Sequence, residues 1–368
     1  MRFLHTADWH VGKKFNGYDL LADQGKILDQ ITAIALREKV EAVVIAGDLY
    51  DRTVPSVEAV ALLNQKIQHL NLQEQLPVLA ISGNHDSGTR LATGSPWYTQ
   101  TDFYLHTNLE QAFTPVVLGD TQFFLLPYFE PIAARLYFDE DVRSIQEAME
   151  LVIAKIKSAF DPQLRHVLVT HFFVAGSLRS DSETKIEVGG LDSVPAELLA
   201  DFDYVALGHL HGRNALQHPT IQYSGSPLKF SLSEAHQEKG VFLVDTTAGT
   251  RHFIPLVPEH EVRILEASYE ELLDPVFYQN QQREDFLQIK LTNRGVIPNL
   301  MNTLRGIYPR LLGLERTAGI ERSTEIKQTE SQSPEQVMAD FFYEMTQEKL
   351  TKQQSQWLED SLGAQNQE

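Results

Sequence analysis

Val43-Val44-Ile45-Ala46-Gly47-Asp48-Leu49-Tyr50-Asp51 decides how this chain is read. Three β-branched residues and an alanine make a short apolar run, consistent with a buried strand. Gly47 then lets the backbone turn sharply. Asp48 is left at the strand's end, with a second acid, Asp51, three residues on. Alone, such an Asp is an ordinary Asx-turn residue.

The pattern recurs four more times. Phe3 to His5 leads into Asp8-Trp9-His10, and Val78 to Ile81 into Gly83-Asn84-His85-Asp86. Val167 to Val169 leads to His171, and Tyr204 to Leu207 to Gly208-His209-Leu210-His211. As strands of an α/β sheet, these runs carry every polar cluster to one end, where such folds bind ligands. The set holds two carboxylates (Asp8, Asp48), one carboxamide (Asn84) and four imidazoles (His10, His171, His209, His211), with His85 to spare. That exceeds what one zinc takes and suits two metal ions. Each cluster has a bland reading as a cap, a turn or a polar strand end. Five together do not, and the bland reading leaves His85 and Asp86 without a use.

The spacing suits the chemistry. Asp8-x-His10 and His209-x-His211 each put two donors on one side of an extended segment. A carboxylate paired with imidazole suits manganese, iron or zinc. Asp48 can bridge two cations with its two oxygens, and Asn84 adds a neutral donor. Two such cations activate water and clamp both the attacking and leaving oxygens of a phosphoester. His85 is then placed to protonate the leaving alkoxide as general acid. Asp51 is placed to hold that imidazole in its charged form.

Composition sets the bounds. The chain has 368 residues, 42% hydrophobic and 22% charged, enough for a full core and for two or three domains. There is no Cys, which excludes disulfides, thiolate metal sites and Cys nucleophiles and fits a cytoplasmic protein. His5 and Asp8 interrupt the start before a signal-peptide core could form. No apolar run approaches the roughly 20 residues of a membrane helix. The net charge of −19 argues against unaided grip on a long polyanion. Two divalent ions would offset that locally, by about +4. Lys13, Lys14, Arg90, Arg179, Lys185, Arg213 and Lys229 flank the clusters.

Residues 1–256 alternate strand-like and helix-like runs, with helices expected over Tyr18 to Lys39, from Pro55 onward and over Asp141 to Ala159. Early βαβ and later strand-rich segments predict two sheets packed face to face with outer helices, an α/β (α+β) layered sandwich. Residues 257–321 read as a small α+β unit: strands at Val262 to Ala267 and Phe286 to Leu291, a helix at Ile297 to Ile307, and Leu311 to Leu314. Residues 322–332 read as a polar linker. In 333–368, capping boxes at Ser333 and Thr351 open two amphipathic helices, the first striped by Val337, Phe341 and Met345, the second bearing Trp357, Leu358 and Leu362. Such helices fold back on their own chain or dock on a partner.

Asp8-x-His10, Gly47-Asp48-x-x-Asp51, Gly83-Asn84-His85-Asp86, His171 and Gly208-His209-x-His211 together resemble the calcineurin-like metallophosphoesterase superfamily. Finer wording is similar to a bacterial branch of DNA nuclease subunits: His5 to Lys13, Gly47 to Ser56, Tyr223-Ser224-Gly225-Ser226-Pro227-Leu228, and the tail around Phe341-Phe342. The resemblance runs along nearly the whole chain. It implies a metallophosphoesterase domain over 1–256, a capping domain over 257–321, and tail helices that bind an SbcC-type coiled-coil ATPase. It implies two Mn²⁺ ions, one held by Asp8, His10, Asp48 and His211, the other by Asp48, Asn84, His171 and His209. His85 would be the catalytic histidine. Archaeal and eukaryotic relatives carry a second His where this chain has Asp51. An Asp there fits the bacterial branch and the phosphatases, in which it orients the catalytic His.

The activity so implied is a manganese-dependent double-strand 3′–5′ exonuclease and hairpin-opening endonuclease. It would serve DNA repair, replication and recombination as a homodimer within a heterotetramer, in a nucleoid-associated cytoplasmic complex. The same metal site also serves phosphatases and cyclic-nucleotide phosphodiesterases, against which the capping segment and the tail weigh. A metal-free scaffold is remote, because all seven ligand positions are filled.

Overall fold

The computed structural model describes residues 1–183, 193–317, 334–346 and 349–365. The expected linker, Lys185 and Ser333 lie outside the described residues.

Strands β1 (Arg2–Thr6), β2 (Ala42–Ala46), β3 (Val78–Ile81) and β4 (Phe103–His106) are joined in parallel, as the right-handed βαβ logic of the early segment requires. A second sheet runs β5 (Val116–Leu118), β6 (Thr121–Leu126), β7 (Arg165–His171), β8 (Tyr204–Gly208), β9 (Ile221–Tyr223). The chain then returns to the first sheet: β10 (Gly240–Asp245) pairs antiparallel with β1, and β11 (Thr250–Pro255) lies outside it. The result is a six-stranded and a five-stranded sheet.

Their inner faces make one apolar layer. Phe3, Val44 and Leu79 from one sheet meet Phe123, Val167 and Ala206 from the other, all fully buried. Alternate residues face outward. Leu4, Val43 and Ile45 pack under α1 (Leu21–Arg37) and α2 (Val57–Gln68), and Phe124, Leu168 and Val205 under α3 (Ile145–Lys157). Both faces of these strands are buried, so they read as continuous apolar runs rather than alternating ones.

Helix starts differ from the periodic reading. Tyr18 and Asp19 pair with Lys14 and Phe15 as a small hairpin, so α1 begins at Leu21. Pro55 precedes the cap of α2: the Ser56 side chain accepts from Ala59 N at 3.2 Å. Ser144 caps α3 in the same way through Glu147 N, so Asp141 to Arg143 stay outside the helix. In each case a capping side chain or a local pairing, not the apolar period, sets the first turn.

A third sheet holds β12 (Val262–Ala267), β13 (Phe286–Leu291) and β14 (Leu311–Arg316), with α4 (Leu300–Arg305) shorter than the expected helix. It leans on the start of the chain. Phe286 meets Phe15 at 5.8 Å between ring centroids, Tyr18 Oη donates to the Pro309 carbonyl, and His260 meets Asp23 at 2.7 Å.

By internal contacts, Met1–Leu291 with Asn299–Glu315 forms one unit, and Thr292–Pro298 with Arg316–Glu368 a second. In the latter, α5 (Pro334–Thr346) and α6 (Lys352–Gln365) touch each other. Thr351 and Gln354 form the reciprocal capping box: Thr351 N donates to Gln354 Oε1 at 2.9 Å and Gln354 N to Thr351 Oγ1 at 3.3 Å. Val337, Met338, Phe341 and Trp357 are exposed. No helix among the described residues is long and apolar enough to cross a membrane.

Candidate metal centre

The C-terminal ends of β1, β2, β3, β7 and β8 release their chains toward one another where the two sheets meet. The expected ligands leave the strands in unusual conformations. Asp8 (φ 52°), His10 (φ 43°), Asp48 (φ 50°) and His209 (φ 94°) all have left-handed backbones. Non-glycine residues rarely sit there, and strain of this kind is held only where surroundings over-determine it.

Those surroundings are visible. Asp8 N donates to Gly47 O at 3.1 Å and His10 N to Asp48 O at 2.9 Å, so the first two loops brace each other. Gln24 of α1 donates to the carbonyls of both Trp9 and His10. Asp86, unassigned from the sequence, accepts from the backbone N–H groups of Leu49, Tyr50 and Gly83 at 2.9–3.0 Å. It ties the Asp48 loop to the Asn84 loop. Burial, with Asp48 nearby, pushes its carboxyl up to about 7. Gly47 is left-handed (φ 89°), and a Cβ there would lie 2.4 Å from His171 Nδ1. A Cβ on Gly83 would lie 2.2 Å from Asp48 Oδ1. Both glycines therefore make room for the donors.

The structure brings all seven expected donors together. His10 Nε2 lies 3.1 Å from His211 Nε2 and 3.5 Å from Asp48 Oδ2. Asp48 Oδ2 is also 3.3 Å from His171 Nε2. Asn84 Oδ1 lies 3.0 Å from His171 Nε2 and 3.1 Å from His209 Nδ1. Donor atoms of Asp8, His10 and His211 lie within 4.8 Å of one another, as do those of Asp8, Asp48 and His171. Asp48 thus faces both halves of the set.

The donors fit divalent cations. Asp8 Oδ2 and His10 Nδ1 are buried without a hydrogen-bond partner, and buried polar atoms are seldom left so. His171 Nδ1 is engaged by the Ala46 carbonyl at 2.8 Å, which assigns a proton to that nitrogen and leaves Nε2 as the atom turned toward the other donors. Protons alone settle the charge poorly. Burial raises Asp8 to about 7. Burial lowers His209 to about 3 and holds His10 well below its usual range. Burial opposes charge on His171 and Asp48, but their mutual attraction outweighs it: His171 rises to about 9 and Asp48 falls below the usual carboxylate range.

Access is one-sided. Asp8 and His171 are fully buried and His10 nearly so, whereas Asn84 and His85 are only partly covered. His85 stacks edge-on to His10 at 4.8 Å, its main-chain N–H donates to Asp48 Oδ1, and its Nδ1 meets the main-chain carbonyl of Asp51 at 2.9 Å. The Asp51 carboxylate also has an ion-pair partner. Its Oδ1 receives Lys13 Nζ at 2.7 Å and lies 3.7 Å from His10 Nδ1. Residue 51 therefore meets the His85 ring through its main-chain carbonyl, and its carboxylate also lies within 4.8 Å of a ring nitrogen of His85.

The flanking cations divide. Lys13 and Arg213 are paired with Asp51 and Glu238, and Lys229 with Glu261, whereas Lys14, Arg90 and Arg179 are exposed. His5 is fully buried and bonded to Tyr204 Oη at 2.9 Å. Sequence reasoning did not find Gln24, Ser182, Glu234 or Lys239. Each is a single polar residue far from any motif, and only the fold brings it under a ligand loop.

Comparison with known proteins gives a family. Residues 1–213 match the calcineurin-like phosphoesterase family, and residues 258–346 match the type 5 capsule protein repressor C-terminal domain. The SbcD subunit of nuclease SbcCD from Staphylococcus epidermidis is 35% identical over 361 residues, covering 96% of each chain. The protein of that name from Staphylococcus saprophyticus is 35% identical over 370 residues, covering 99% of this chain and 98% of its own. Among solved structures, TT1561 of Thermus thermophilus aligns with 69% of this chain and 98% of its own, at 11% identity and a TM-score of 0.42. On the match to its first 213 residues and the near full-length identity to these relatives, the chain belongs to the calcineurin-like phosphoesterases and, among them, to the SbcD family of nuclease subunits.

Proposed function

We propose that this chain is the nuclease subunit of a DNA-processing complex, a phosphodiester hydrolase that uses two divalent cations, Mn²⁺ by preference. The observation that carries this reading is the donor set divided about Asp48, with His85 beside it on the open side. Asp8, His10, Asp48 and His211 would hold one ion, and Asp48, Asn84, His171 and His209 the other. When bound, the pair supplies Lewis-acid stabilisation and an activated water for attack at phosphorus.

The chain's own groups do the rest. The His85 ring, held by its Nδ1 contact to the Asp51 carbonyl, delivers a proton to the leaving alkoxide from its other nitrogen. The Lys13–Asp51 pair fixes the loop carrying that carbonyl. The carboxylate of Asp86 holds the Asp48 and Asn84 loops at their common spacing.

The substrate would be duplex DNA, degraded 3′ to 5′ from ends and opened at hairpins. Residues 257–321 would form a capping domain, and the tail helices over 333–368 would dock on an SbcC-type coiled-coil ATPase. That partner answers the charge problem, since a subunit of net charge −19 does not hold DNA alone. The exposed apolar side chains Val54, Val57 and Trp97 support a homodimer within a heterotetramer. Such a complex acts at the nucleoid.

The test is cleavage of linear and hairpin duplexes by the purified chain, with and without the ATPase, in Mn²⁺ and in chelator. Mn²⁺-dependent duplex cleavage is expected. Turnover of a phosphopeptide or a cyclic nucleotide without DNA cleavage would overturn the assignment.

A further inference from the structure

His211 is held through both its main chain and its ring. Its main-chain N–H donates to Glu183 Oε1 at 2.7 Å, and its carbonyl accepts from Lys239 Nζ at 2.7 Å. Its ring Nδ1 lies 2.6 Å from Ser182 Oγ. Gly225 runs close behind it, where a Cβ would sit 2.6 Å from the His211 carbonyl oxygen.

Ser182 Oγ in turn lies 2.5 Å from Glu234 Oε1. Glu234 is fully buried, in the short turn Leu232–Glu234. Its Oε1 also accepts from Ser231 Oγ at 2.9 Å and Phe230 N at 3.3 Å, and its Oε2 accepts from Lys239 Nζ at 2.5 Å. Lys239 is 7% exposed, and its third N–H is shared between Ser226 Oγ and Gln237 Oε1, both at 3.0 Å. A buried carboxylate beside a buried ammonium is ionised and accepts only.

Ser182 Oγ also lies 3.0 Å from Ser180 Oγ, whose own proton goes to Glu183 Oε1 at 3.1 Å, but the ionised carboxylate of Glu234 is the nearer and stronger acceptor for the Ser182 proton. The single hydroxyl proton of Ser182 points at Glu234, since a carboxylate cannot donate to it. Ser182 Oγ is therefore an acceptor toward His211, and Nδ1 must carry the ring proton. Nε2 is left as a lone pair, facing His10 Nε2 at 3.1 Å.

We propose that Glu234, acting through Ser182, is a positioning residue that fixes the tautomer and orientation of His211 for cation binding. Lys239 serves the same end by holding Glu234 ionised and clamping the His211 main chain. The device matches that at His171, where a main-chain carbonyl engages Nδ1, but here it is built from side chains and so is open to mutation. Outer partners of metal-bound histidines are commonly worth 10- to 100-fold in affinity.

The inference rests on the reading of these donors as a two-metal site, and the experiment separates the two. Mn²⁺ is titrated calorimetrically into the full-length wild type, Ser182→Ala, Ser182→Thr and Glu234→Gln. Side-chain ¹⁵N shifts of histidine-labelled, metal-free protein report the His211 tautomer independently. Two Mn²⁺ equivalents in the wild type are expected. One should weaken 10- to 100-fold in Ser182→Ala while the other is unchanged, and Ser182→Thr should restore it. In the metal-free wild type the Nδ1-protonated form of His211 should dominate, and the Ser182→Ala protein should show the two tautomers mixed. Glu234→Gln risks unfolding because Lys239 loses its counter-charge, so Ser182→Ala carries the test. Two full-affinity equivalents in Ser182→Ala, or a wild-type His211 protonated at Nε2, overturn the inference and leave the metal site standing. No stoichiometric Mn²⁺ in the wild type overturns both.

Discussion

At the residue scale, His85 and His5 show how one side-chain type is put to opposite uses. His85 is partly exposed and lies against His10 and the main chain of Asp51. Its replacement by Ala should cut DNA cleavage by roughly 10²–10⁴-fold, the usual worth of a general acid, while Mn²⁺ stoichiometry by calorimetry stays at the wild-type value. His5 is fully buried, and that burial lowers its pKa from 6.5 to about 3. Below about pH 6.5 the unfolded chain takes up a proton at His5 that the folded chain refuses. Stability should therefore fall with pH, by up to about 1.4 kcal/mol per unit, until the folded ring itself charges near pH 3. His5→Gln keeps a partner for Tyr204 and removes the titration. Urea melts at pH 7 and pH 5 should differ less in that variant than in the wild type.

At the scale of elements, the strand-to-loop turns carry the site. Gly47→Ala places a methyl 2.4 Å from His171 Nδ1 on a left-handed backbone. It should weaken Mn²⁺ binding and lower Tm together, read by calorimetry and thermal melts. Ser56→Ala removes the cap of α2 and should cost about 1 kcal/mol in a urea melt, with little effect on metal affinity. The five strands that deliver the donors were legible because both their faces are buried, so each reads as an unbroken apolar run ended by a polar cluster. The convergence of the seven candidate donors and His85 was legible for the same reason. Helix starts were less so: the apolar period of Tyr18 to Lys39 runs on into a hairpin, and only backbone pairing with Lys14 and Phe15 ends it. The Lys13 partner of the Asp51 carboxylate was not legible, because Lys13 reaches it from a loop that sequence spacing does not place. Ser182, Glu234 and Lys239 had no signal at all, since the buried ion pair exists only once the turn at Leu232–Glu234 is folded beneath His211.

At the scale of the whole molecule, the proposed function gives the tail and the core separable duties. Removal of residues 333–368 should leave Mn²⁺ binding intact and abolish co-purification with the coiled-coil ATPase. Chelation should lower the Tm of the full chain, because any ion bound only by the folded state adds its binding free energy to stability.

The donors come from both layers of the sandwich: Asp8, His10, Asp48 and Asn84 follow strands of the six-stranded sheet, and His171, His209 and His211 follow strands of the five-stranded one. A cation shared among them is a rivet through two plates. Ligand distances tolerate only about 0.2 Å, whereas one residue of slip between sheets is about 3.3 Å. Slippage far smaller than a single register step therefore disarms the enzyme, and its chemistry becomes a gauge of how squarely the two plates are aligned.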